Sequence, residues 1–341
     1  MNNPPVLAIA GVTGAVGQEF LRLIEQRRFP FSQLKLLASA RSAGRKIEFL
    51  GNSYTVEELT EDSFDGVDIA LFSAGGSITH RFGPIAAAAG CVVVDNSSAF
   101  RMDPKVPLVV PEVNAQDIGR HQGIIANPNC STIIMNVPVW PLHQRAGVRR
   151  VVVSTYQAAS GAGAAAMAEL EQQARDWTAG NPLTQEIFGR QYIWNLFSHN
   201  SDIDPDTGYN TEETKMIHET RKIFHAPEIR VTATCVRVPI LRAHCESINL
   251  SFEQPLSEDE AREILAAAPG VTVLDDRENN LHPEPLAASD QDDVFVGRIR
   301  RDASQDEGMG LEIFVAGDQL RKGAALNALQ IAEHLLEQVP A

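Results

Sequence analysis

The sequence predicts an α/β protein of two domains, the first of which holds a doubly wound parallel sheet. Short apolar runs alternate with helical segments through the N-terminal part of the chain, an order typical of parallel strands covered by helices on both faces. A glycine-rich turn joins the first run to the first helical segment. After Pro141 the runs become longer and richer in β-branched residues, which indicates a second domain with a different sheet.

Composition argues against several classes of partner. The 341 residues carry a net charge of −15 and an isoelectric point near 5.0, which disfavours a nucleic acid or an anionic membrane as the main partner. We expect a soluble cytoplasmic protein, since neither a signal segment nor an apolar run of ~18 residues is evident. The cysteines show no metal-ligand spacing with histidine, so no metal is predicted, and their scatter suits a reducing compartment: Cys91, Cys130, Cys235 and Cys245.

The glycine-rich turn favours a dinucleotide site of the Rossmann type. A buried-strand pattern at Val6–Ala10 precedes the turn, and an apolar helical pattern at 18–27 follows it. Glycines at this spacing let the backbone approach a pyrophosphate, and the helix N-terminus offers N–H groups to the anion. The alternative is an ordinary strand-to-helix turn. The predicted cofactor contacts in the turn are Gly11, Thr13, Gly14, Ala15, Val16 and Gly17.

The end of the second strand, at 35–38, indicates which dinucleotide binds. An NAD site usually places an acidic residue there to hold the ribose 2′-hydroxyl. This chain has Ser39, Arg41 and Ser42 instead, which suit a 2′-phosphate, so we predict NADP. A solvated basic loop is the alternative.

Two further strands and a helix continue the alternation, with strands at 69–72 and 91–94 and a helix at 78–89. Ligands of such sheets bind at the carboxyl ends of the strands. The loop Ser73, Ala74 and Gly75 would lie at that edge, and Arg101 follows closely enough to reach an anion there.

Cys130 is the candidate nucleophile. The segment 128–132 stands between an apolar run at 124–126 and a mostly apolar stretch at 133–140, which predicts strand, tight turn and helix. At the first turn of a helix, free N–H groups and the helix dipole favour a thiolate over a thiol. The alternative is a small buried cysteine.

The second part of the chain is predicted to contain strands at 150–157, 229–238 and 244–252, the last two ending its β-rich region. A small-residue turn at 158–163 leads into a helix at 164–177, and a polar stretch broken by proline occupies 179–210. Thr211 and the acidic residues after it predict a helix start. A last helix, about 323–338, would pack back on the first domain.

The chain resembles the bacterial aspartate-β-semialdehyde dehydrogenase family along nearly its whole length. The matching stretches are 11–17, 73–75, 96–101, 128–132, 156–158, 212–216, 236–239 with His244, and 318–321. The resemblance implies an NADP-binding domain at 1–129 with 319–341, and an α+β catalytic and dimerisation domain at 130–318 with a largely antiparallel or mixed sheet. It also implies a homodimer that reversibly converts L-aspartate 4-semialdehyde, phosphate and NADP to 4-aspartyl phosphate and NADPH, a branch point toward lysine, threonine and methionine.

Residue roles follow from the same resemblance. Cys130 would attack the aldehyde, His244 would be the general acid/base, and Gln157 would orient the intermediate. The implied substrate contacts are Arg237 for the carboxylate, Glu212 for the ammonium, and Arg101 and Lys215, with Asn129, for phosphate. The implied further cofactor contacts are Ser73, Ala74, Gly75, Ser160, Gly161 and Gln319. Judged on their own, Arg237 and His244 read as strand-surface residues.

Two departures and two rival functions remain at this point. The family commonly has serine where this chain has Cys245, and residues 190–210 match less closely than their flanks. N-acetyl-glutamyl-phosphate reductases share the architecture, but their cysteine typically lies between glycine and tyrosine, whereas Asn129 and Ser131 flank Cys130. The second rival is a catalytically silent nucleotide-binding paralogue, which would be expected to lose the nucleophile or the base.

Overall fold

The structure is a computed structural model that describes residues 4–337, and the chain divides into two compact units. The first unit contains the chain up to Asn129 and the segment from Ala324 onward, and the second unit is Cys130–Gly323. The return to the first unit therefore falls a few residues after the position predicted at 319. Residues 318 and 319 belong to the second unit, in which Arg242 Nε donates to Asp318 Oδ2 at 2.7 Å and the Ala243 amide donates to Gln319 Oε1 at 3.0 Å.

The first unit begins with eight strands and three helices. The strands are β1 (Val6–Ala10), β2 (Gln33–Ala38), β3 (Lys46–Phe49), β4 (Asn52–Thr55), β5 (Glu57–Glu58), β6 (Ile69–Phe72), β7 (Val92–Asp95) and β8 (Ile124–Ala126). The helices are α1 (Ala15–Arg27), α2 (Gly76–Ala88) and α3 (Pro111–Asn114). Strands β1 and β6 have the predicted bounds, whereas α1 begins three residues earlier than predicted.

Six of these strands form one parallel sheet in the order β5-β2-β1-β6-β7-β8. The predicted doubly wound parallel sheet is confirmed. The chain runs outward from β1 to β2 and later returns to place β6 on the other side of β1, so the strand order reverses between β1 and β6. Ligands of open α/β sheets bind at such a reversal, beyond the carboxyl ends of the strands. The two loops at that edge follow β1 and β6.

The second unit contains seven strands and five helices. The strands are β9 (Val148–Gln157), β10 (Phe197–Ser198), β11 (Arg230–Arg237), β12 (His244–Phe252), β13 (Val271–Val273), β14 (Val294–Arg301) and β15 (Gly310–Gly317). The helices are α4 (Cys130–Ala146), α5 (Ala164–Ala179), α6 (Thr211–Ile223), α7 (Glu258–Ala267) and α8 (Pro285–Ala288). Strand β12 and the starts of α5 and α6 lie where the sequence predicted them.

The sheet of the second unit is mixed, as predicted, with the order β10-β11-β9-β12-β15-β14-β13. Strand β9 pairs parallel to β11 and antiparallel to β12. The prediction that the β-rich region ends at Phe252 is wrong, since β15 pairs antiparallel to β12 along eight residues. Strand β14 was not evident in the sequence because Gly297 and three arginines interrupt its apolar pattern. The side chains of these arginines are partly or fully exposed.

The polar stretch at 179–210 holds a small aromatic core. Phe188, Tyr192 and Phe197 are buried and pack edge to face, with ring centroids 4.9 to 5.6 Å apart. The Tyr192 hydroxyl donates to the Val238 carbonyl at 2.6 Å, which ties the stretch to the end of β11. Three aromatic residues spaced among prolines and polar residues gave no regular period, so the sequence did not reveal this core.

The last helix, α9 (Leu326–Glu337), completes the first unit after a π-helical turn at Arg321–Ala325. It packs on α1, α3 and strands β6 and β7, and its apolar face belongs to the same core as those elements. The packing predicted for this helix is therefore confirmed, although its predicted end at residue 338 lies outside the described residues. Within residues 4–337, no helix is long and apolar enough to cross a membrane.

Candidate active site

Cys130 is the first residue of α4, as the sequence predicted. The residues after it, from Ser131 to Val139, are buried, whereas Cys130 is partly exposed. The π-helical turn approaches it closely, because a Cβ atom added at Gly323 would lie 2.9 Å from the Cys130 Cβ. The thiol therefore stands at a helix N-terminus with a backbone turn against it, in a position that a ligand can reach.

Three further side chains meet at one end of the sheet of the second unit. Gln157 ends β9 and Arg237 ends β11, and the strand register pairs these two residues directly. His244 begins β12, the strand on the other side of β9. Each of the three side chains is at least 97% buried. Long-range strand pairing thus gathers groups that are far apart in sequence.

The guanidinium of Arg237 is held by three protein acceptors. Its Nε donates to Asn200 Oδ1 at 3.1 Å, its Nη1 to the Ala158 carbonyl at 3.1 Å, and its Nη2 to His199 Nε2 at 2.8 Å. Guanidinium has five N–H groups, so within the described residues two remain for a ligand. Burial lowers the pKa of Arg237, while the nearby Glu212 carboxylate raises it.

His244 is a neutral imidazole with a defined tautomer. Burial, together with the charge of Arg237, lowers its pKa to about 3. The Ala158 amide donates to Nδ1 at 3.1 Å, so the single proton of the neutral ring is on Nε2. Nε2 has no hydrogen-bond partner among the described residues, and a Cβ added at Gly161 would lie 2.9 Å from it. The glycine thus leaves room for a ligand atom that accepts from Nε2–H.

Glu212 lies between Gln157 and Lys215 near the start of α6. Gln157 Nε2 donates to Glu212 Oε1 at 3.2 Å and to Ser131 Oγ at 3.0 Å, which connects it to the residue after Cys130. Lys215 Nζ lies 3.2 Å from Glu212 Oε2. Asn210, one residue before the predicted helix start, caps α6 in a reciprocal pair with Glu213. The cap fixes the first turn, from which Glu212 and Lys215 project.

Glu246 is a buried carboxyl group that the sequence gave no reason to single out. It lies two residues after His244 on β12, and neither of its oxygens has a hydrogen-bond partner among the described residues. Burial raises its pKa well above the ordinary value, and the Glu212 charge adds to the effect. An unpartnered carboxylate would be very costly in such a place, so Glu246 is a neutral acid.

The first unit has a groove of about 430 Å³ at the carboxyl ends of its central strands. Its lining consists of Gly11, Thr13, Gly14, Ala38, Ser39, Ala40, Glu58, Leu59, Ser73, Ala74, Ile78, Arg81 and Phe82. A Cβ atom added at Gly11 would lie 2.3 Å from the Ser73 carbonyl oxygen, and Gly11 has a φ of +87°, so only glycine fits there. The two loops at the reversal of strand order therefore pass in direct contact and form the floor of the groove.

The groove is lined by six of the residues predicted to hold the cofactor, together with two charged residues that the sequence did not indicate. The predicted residues are Gly11, Thr13, Gly14, Ser39, Ser73 and Ala74, whereas Arg41, Ser42 and Gly75 lie outside the lining and Ala15, Val16 and Gly17 enter α1. Glu58 is present because β5 pairs with β2 and places it beside Ala38. Arg81 is present because α2 carries it over the groove, where it also pairs with Glu61 at 3.2 Å.

The remaining predicted residues are divided between the units. Arg101 and Asn129 belong to the first unit, where Arg101 is 7% exposed and donates to the carbonyls of Asn127 at 2.9 Å and Asn96 at 2.8 Å. Ser160, Gly161 and Gln319 belong to the second unit. Ser160 Oγ and Gln319 Nε2 are buried without a hydrogen-bond partner among the described residues, so both can bind a polar ligand.

Comparison with known proteins identifies two family domains in the chain. Residues 6–121 match the family model "Semialdehyde dehydrogenase, NAD binding domain", and residues 139–322 match "Semialdehyde dehydrogenase, dimerisation domain". The chain is 53% identical to an aspartate-semialdehyde dehydrogenase of Synechocystis over 99% of both chains. It is 46% identical to one of Bacillus subtilis over 96% of both.

Solved structures give the same result. Aspartate semialdehyde dehydrogenase II of Vibrio cholerae, complexed with ASA, superposes with a TM-score of 0.95 at 40% identity, over 99% of this chain and all of that one. The Candida albicans enzyme with NADP superposes with a TM-score of 0.76 at 25% identity, over 98% of this chain and 99% of that one.

The two family models define an oxidoreductase of the semialdehyde dehydrogenase class, with a nicotinamide-cofactor domain and a dimerisation domain. At 53% identity over nearly the full length, the chain belongs to the aspartate-semialdehyde dehydrogenase family. The family resemblance predicted from its motifs is thus confirmed.

Proposed function

We propose that the protein catalyses the reversible, NADP-dependent phosphorylating oxidation of L-aspartate 4-semialdehyde to 4-aspartyl phosphate. One observation carries this proposal: Gln157, Arg237 and His244 meet at one end of the sheet, with Arg237 in electrostatic range of Cys130. A nucleophile, a proton donor and a carboxylate-binding cation at one place suit an aldehyde that is also an amino acid.

In this mechanism the Cys130 thiolate attacks the aldehyde carbon and forms a C–S bond, and the carbonyl oxygen becomes an alkoxide. The Nε2–H of His244 donates to that oxygen, and Gln157 holds the intermediate in position. A nicotinamide cofactor bound in the first unit would supply the hydride acceptor, and loss of the hydride from the substrate carbon would leave Cys130 as a thioester. A phosphate oxygen then attacks the acyl carbon, the C–S bond breaks and the thiolate is regenerated. In the reverse direction, His244 takes part in the same proton exchange at the substrate oxygen.

Substrate recognition is assigned to two opposite charges. The two remaining N–H groups of Arg237 suit the α-carboxylate, since guanidinium and carboxylate pair in a fixed planar geometry. The Glu212 carboxylate suits the α-ammonium group. An N-acetylated substrate has no such charge at its nitrogen, so Glu212 argues against the N-acetyl-glutamyl-phosphate reductase alternative. We assign phosphate binding to Arg101, Asn129 and Lys215.

The cofactor is assigned to NADP. Gly11 and Gly14 suit the pyrophosphate, and the unpartnered Ser160 Oγ and Gln319 Nε2 suit the nicotinamide carboxamide. Ser39 and Arg81 in the groove, with Arg41 and Ser42 on the turn that follows β2, suit a 2′-phosphate. Glu58 favours the unmodified ribose instead, so the preference for NADP depends on the balance between these charges.

We also propose a homodimer, which the match of residues 139–322 to a dimerisation domain supports. The product would supply lysine, threonine and methionine synthesis.

The test is the formation of NADPH from aspartate semialdehyde, phosphate and NADP, with N-acetyl-glutamate semialdehyde assayed alongside. Rapid turnover of aspartate semialdehyde that depends on phosphate is expected. Preference for the N-acetylated aldehyde would favour the reductase alternative, and no turnover of either would favour the silent paralogue.

A further inference from the structure

His199 lies in the segment 190–210, whose sequence matched the family less closely than its flanks, and the strand pairing fixes its position. Strand β10 pairs antiparallel with β11, so that Phe197 lies opposite Arg237 and Ser198 opposite Val236. The His199 amide continues this ladder by donating to the Cys235 carbonyl at 2.8 Å. These backbone hydrogen bonds therefore place the His199 imidazole beside the guanidinium of Arg237.

The contact between the two side chains gives His199 the role of a hydrogen-bond acceptor. Arg237 can only donate, so Nε2 of His199 is the acceptor in the 2.8 Å contact. Burial lowers the pKa of His199 to about 4, an effect to which the Arg237 charge contributes, so the ring is neutral. Its Nδ1 lies 3.0 Å from Ser201 Oγ and 3.2 Å from the Ser201 backbone N.

The hydrogen-bond chain continues to the residue assigned to the substrate ammonium. Ser201 Oγ also accepts from the backbone N–H of Glu212 at 3.2 Å. Arg237, His199, Ser201 and Glu212 are therefore linked in one series, in which the neutral imidazole separates a fixed cation from a fixed anion. Glu212 also interacts electrostatically with His199, since its charge raises the pKa of His199 and so opposes part of the lowering by burial.

We propose that His199 is a positioning residue that sets the spacing between the Arg237 guanidinium and Glu212, and thereby the selectivity for a zwitterionic aldehyde. The proposal rests on the proposed function, since it assigns those two residues to the carboxylate and the ammonium of the substrate. Without an acceptor at position 199, the guanidinium keeps its hydrogen bonds to Asn200 and to the Ala158 carbonyl but loses the one on Nη2, so it can rotate about them. The bidentate geometry that a carboxylate requires is then lost.

A matched pair of variants tests the proposal. His199→Leu fills a similar volume without an acceptor, whereas the carbonyl of His199→Gln can accept from Arg237 Nη2. We expect His199→Leu to raise the KM for aspartate semialdehyde about tenfold or more, from the strength of a hydrogen bond to a charged group. Its kcat and its KM for NADP should stay within about twofold of wild type. His199→Gln should restore most of the loss. The exposed His218 on α6 provides a control, as His218→Leu should behave as wild type.

The pH dependence separates positioning from proton transfer. Because His199 is neutral, the profile of kcat/KM between pH 6 and 9 should have the same shape in wild type and in His199→Gln. A changed profile, equal impairment of the Leu and Gln variants, or a fall in kcat with unchanged KM would overturn the proposal. An inactive wild type would instead overturn the proposed function, and an active wild type with an unaffected His199→Leu variant would overturn this inference alone.

Discussion

At the scale of single residues, the position of Cys130 makes a simple test of the nucleophile possible. The thiol lies at the first position of a long, buried helix, so a substitution of similar size should leave the surrounding packing intact. We predict that Cys130→Ser loses nearly all turnover, because a serine hydroxyl at the same place is scarcely ionised. Binding of NADP, measured by fluorescence titration, should be unchanged. Substantial remaining activity would remove Cys130 from the assigned role.

A second prediction concerns the cofactor. Arg41→Ala should narrow the preference for NADP over NAD, by raising the KM for NADP far more than the KM for NAD. Glu58→Gln should widen it, because Glu58 lines the groove and its charge opposes a 2′-phosphate. A hydrogen bond to a charged group is worth ~1.5 to 3 kcal/mol, so tenfold changes or more are expected from Arg41 if it contacts the phosphate.

The measurement is kcat/KM with each cofactor at fixed ionic strength, since salt screens exposed charges. Opposite effects of the two substitutions are the decisive result. If the ratio of kcat/KM with NADP to kcat/KM with NAD is unchanged in Arg41→Ala, this arginine is only a solvated surface residue. If the ratio is unchanged in Glu58→Gln, the Glu58 carboxylate has no influence on cofactor preference.

Which residues of the site could be predicted depended on whether a local pattern surrounded them. Cys130 stands between an apolar run and a helix, and Gly11 follows a clear strand, so both had a local signal. His199 and Asn200 had none, because strand pairing between β10 and β11 brings them to Arg237. Glu58 was not predicted for a similar reason, since only the pairing of the two-residue strand β5 with β2 places it beside Ala38 at the groove.

At the scale of elements, strand β12 carries a buried carboxyl group, Glu246, whose protonation should make the free energy of unfolding depend on pH. Glu246 keeps its proton in the folded state, whereas in the unfolded chain it ionises above its ordinary pKa of about 4.5. The native state therefore binds more protons than the unfolded state between pH 4.5 and the raised native pKa. Stability from this group is complete below pH 4.5 and is lost as the pH rises.

We accordingly predict that Glu246→Gln gains stability relative to wild type as the pH rises from 5 to 8. The gain can reach about 1.4 kcal/mol per pH unit until the native carboxyl ionises. Urea unfolding at several pH values and one protein concentration measures it, with the exposed Glu263→Gln on α7 as control. A pH-independent difference between Glu246→Gln and wild type would mean that Glu246 is ionised in the folded protein.

The elements themselves were predictable where one face or both faces are evenly buried. Strands β1 and β6 are almost entirely buried and appear as continuous apolar runs, and their bounds were predicted correctly. Strands β14 and β15 were missed, because arginine, glutamate and glycine occupy positions that face outward or bend the strand. Such strands are recognisable only from pairing, of β15 with β12 and of β14 with β15, which is a tertiary property.

At the scale of the whole molecule, the first unit is discontinuous in sequence. The buried Asn327 of α9 donates to Asn127 Oδ1 at 2.7 Å and to the Val109 carbonyl at 2.9 Å. Asn127 in turn donates to Asn96 Oδ1 at 2.9 Å, so α9 helps to hold the loop that leads to Cys130. The apolar residues of α9 belong to the core around β1 and α1.

We predict that residues 1–129 alone do not fold cooperatively, whereas the same residues joined to 324–341 by a short glycine-serine linker do. Asn127 Nδ2 lies 3.4 Å from the Ala324 carbonyl, so the two ends to be joined are close. Circular dichroism during urea unfolding gives the test, and NADP titration of the joined fragment gives a check on its groove. A cooperative transition in the 1–129 fragment would show that α9 is dispensable for this unit.

The late arrival of α9 has a consequence for synthesis on the ribosome. Once residue 129 has been made, translation at about 5–20 residues per second needs roughly 10 to 40 s to complete α9 at Glu337. Throughout that time the nascent N-terminal sheet lacks the helix that covers its apolar side chains, while the contiguous second unit emerges complete. The first unit is therefore the last to be completed, which reverses the usual N-to-C order, and chaperones that shield apolar surface have a defined interval in which to bind.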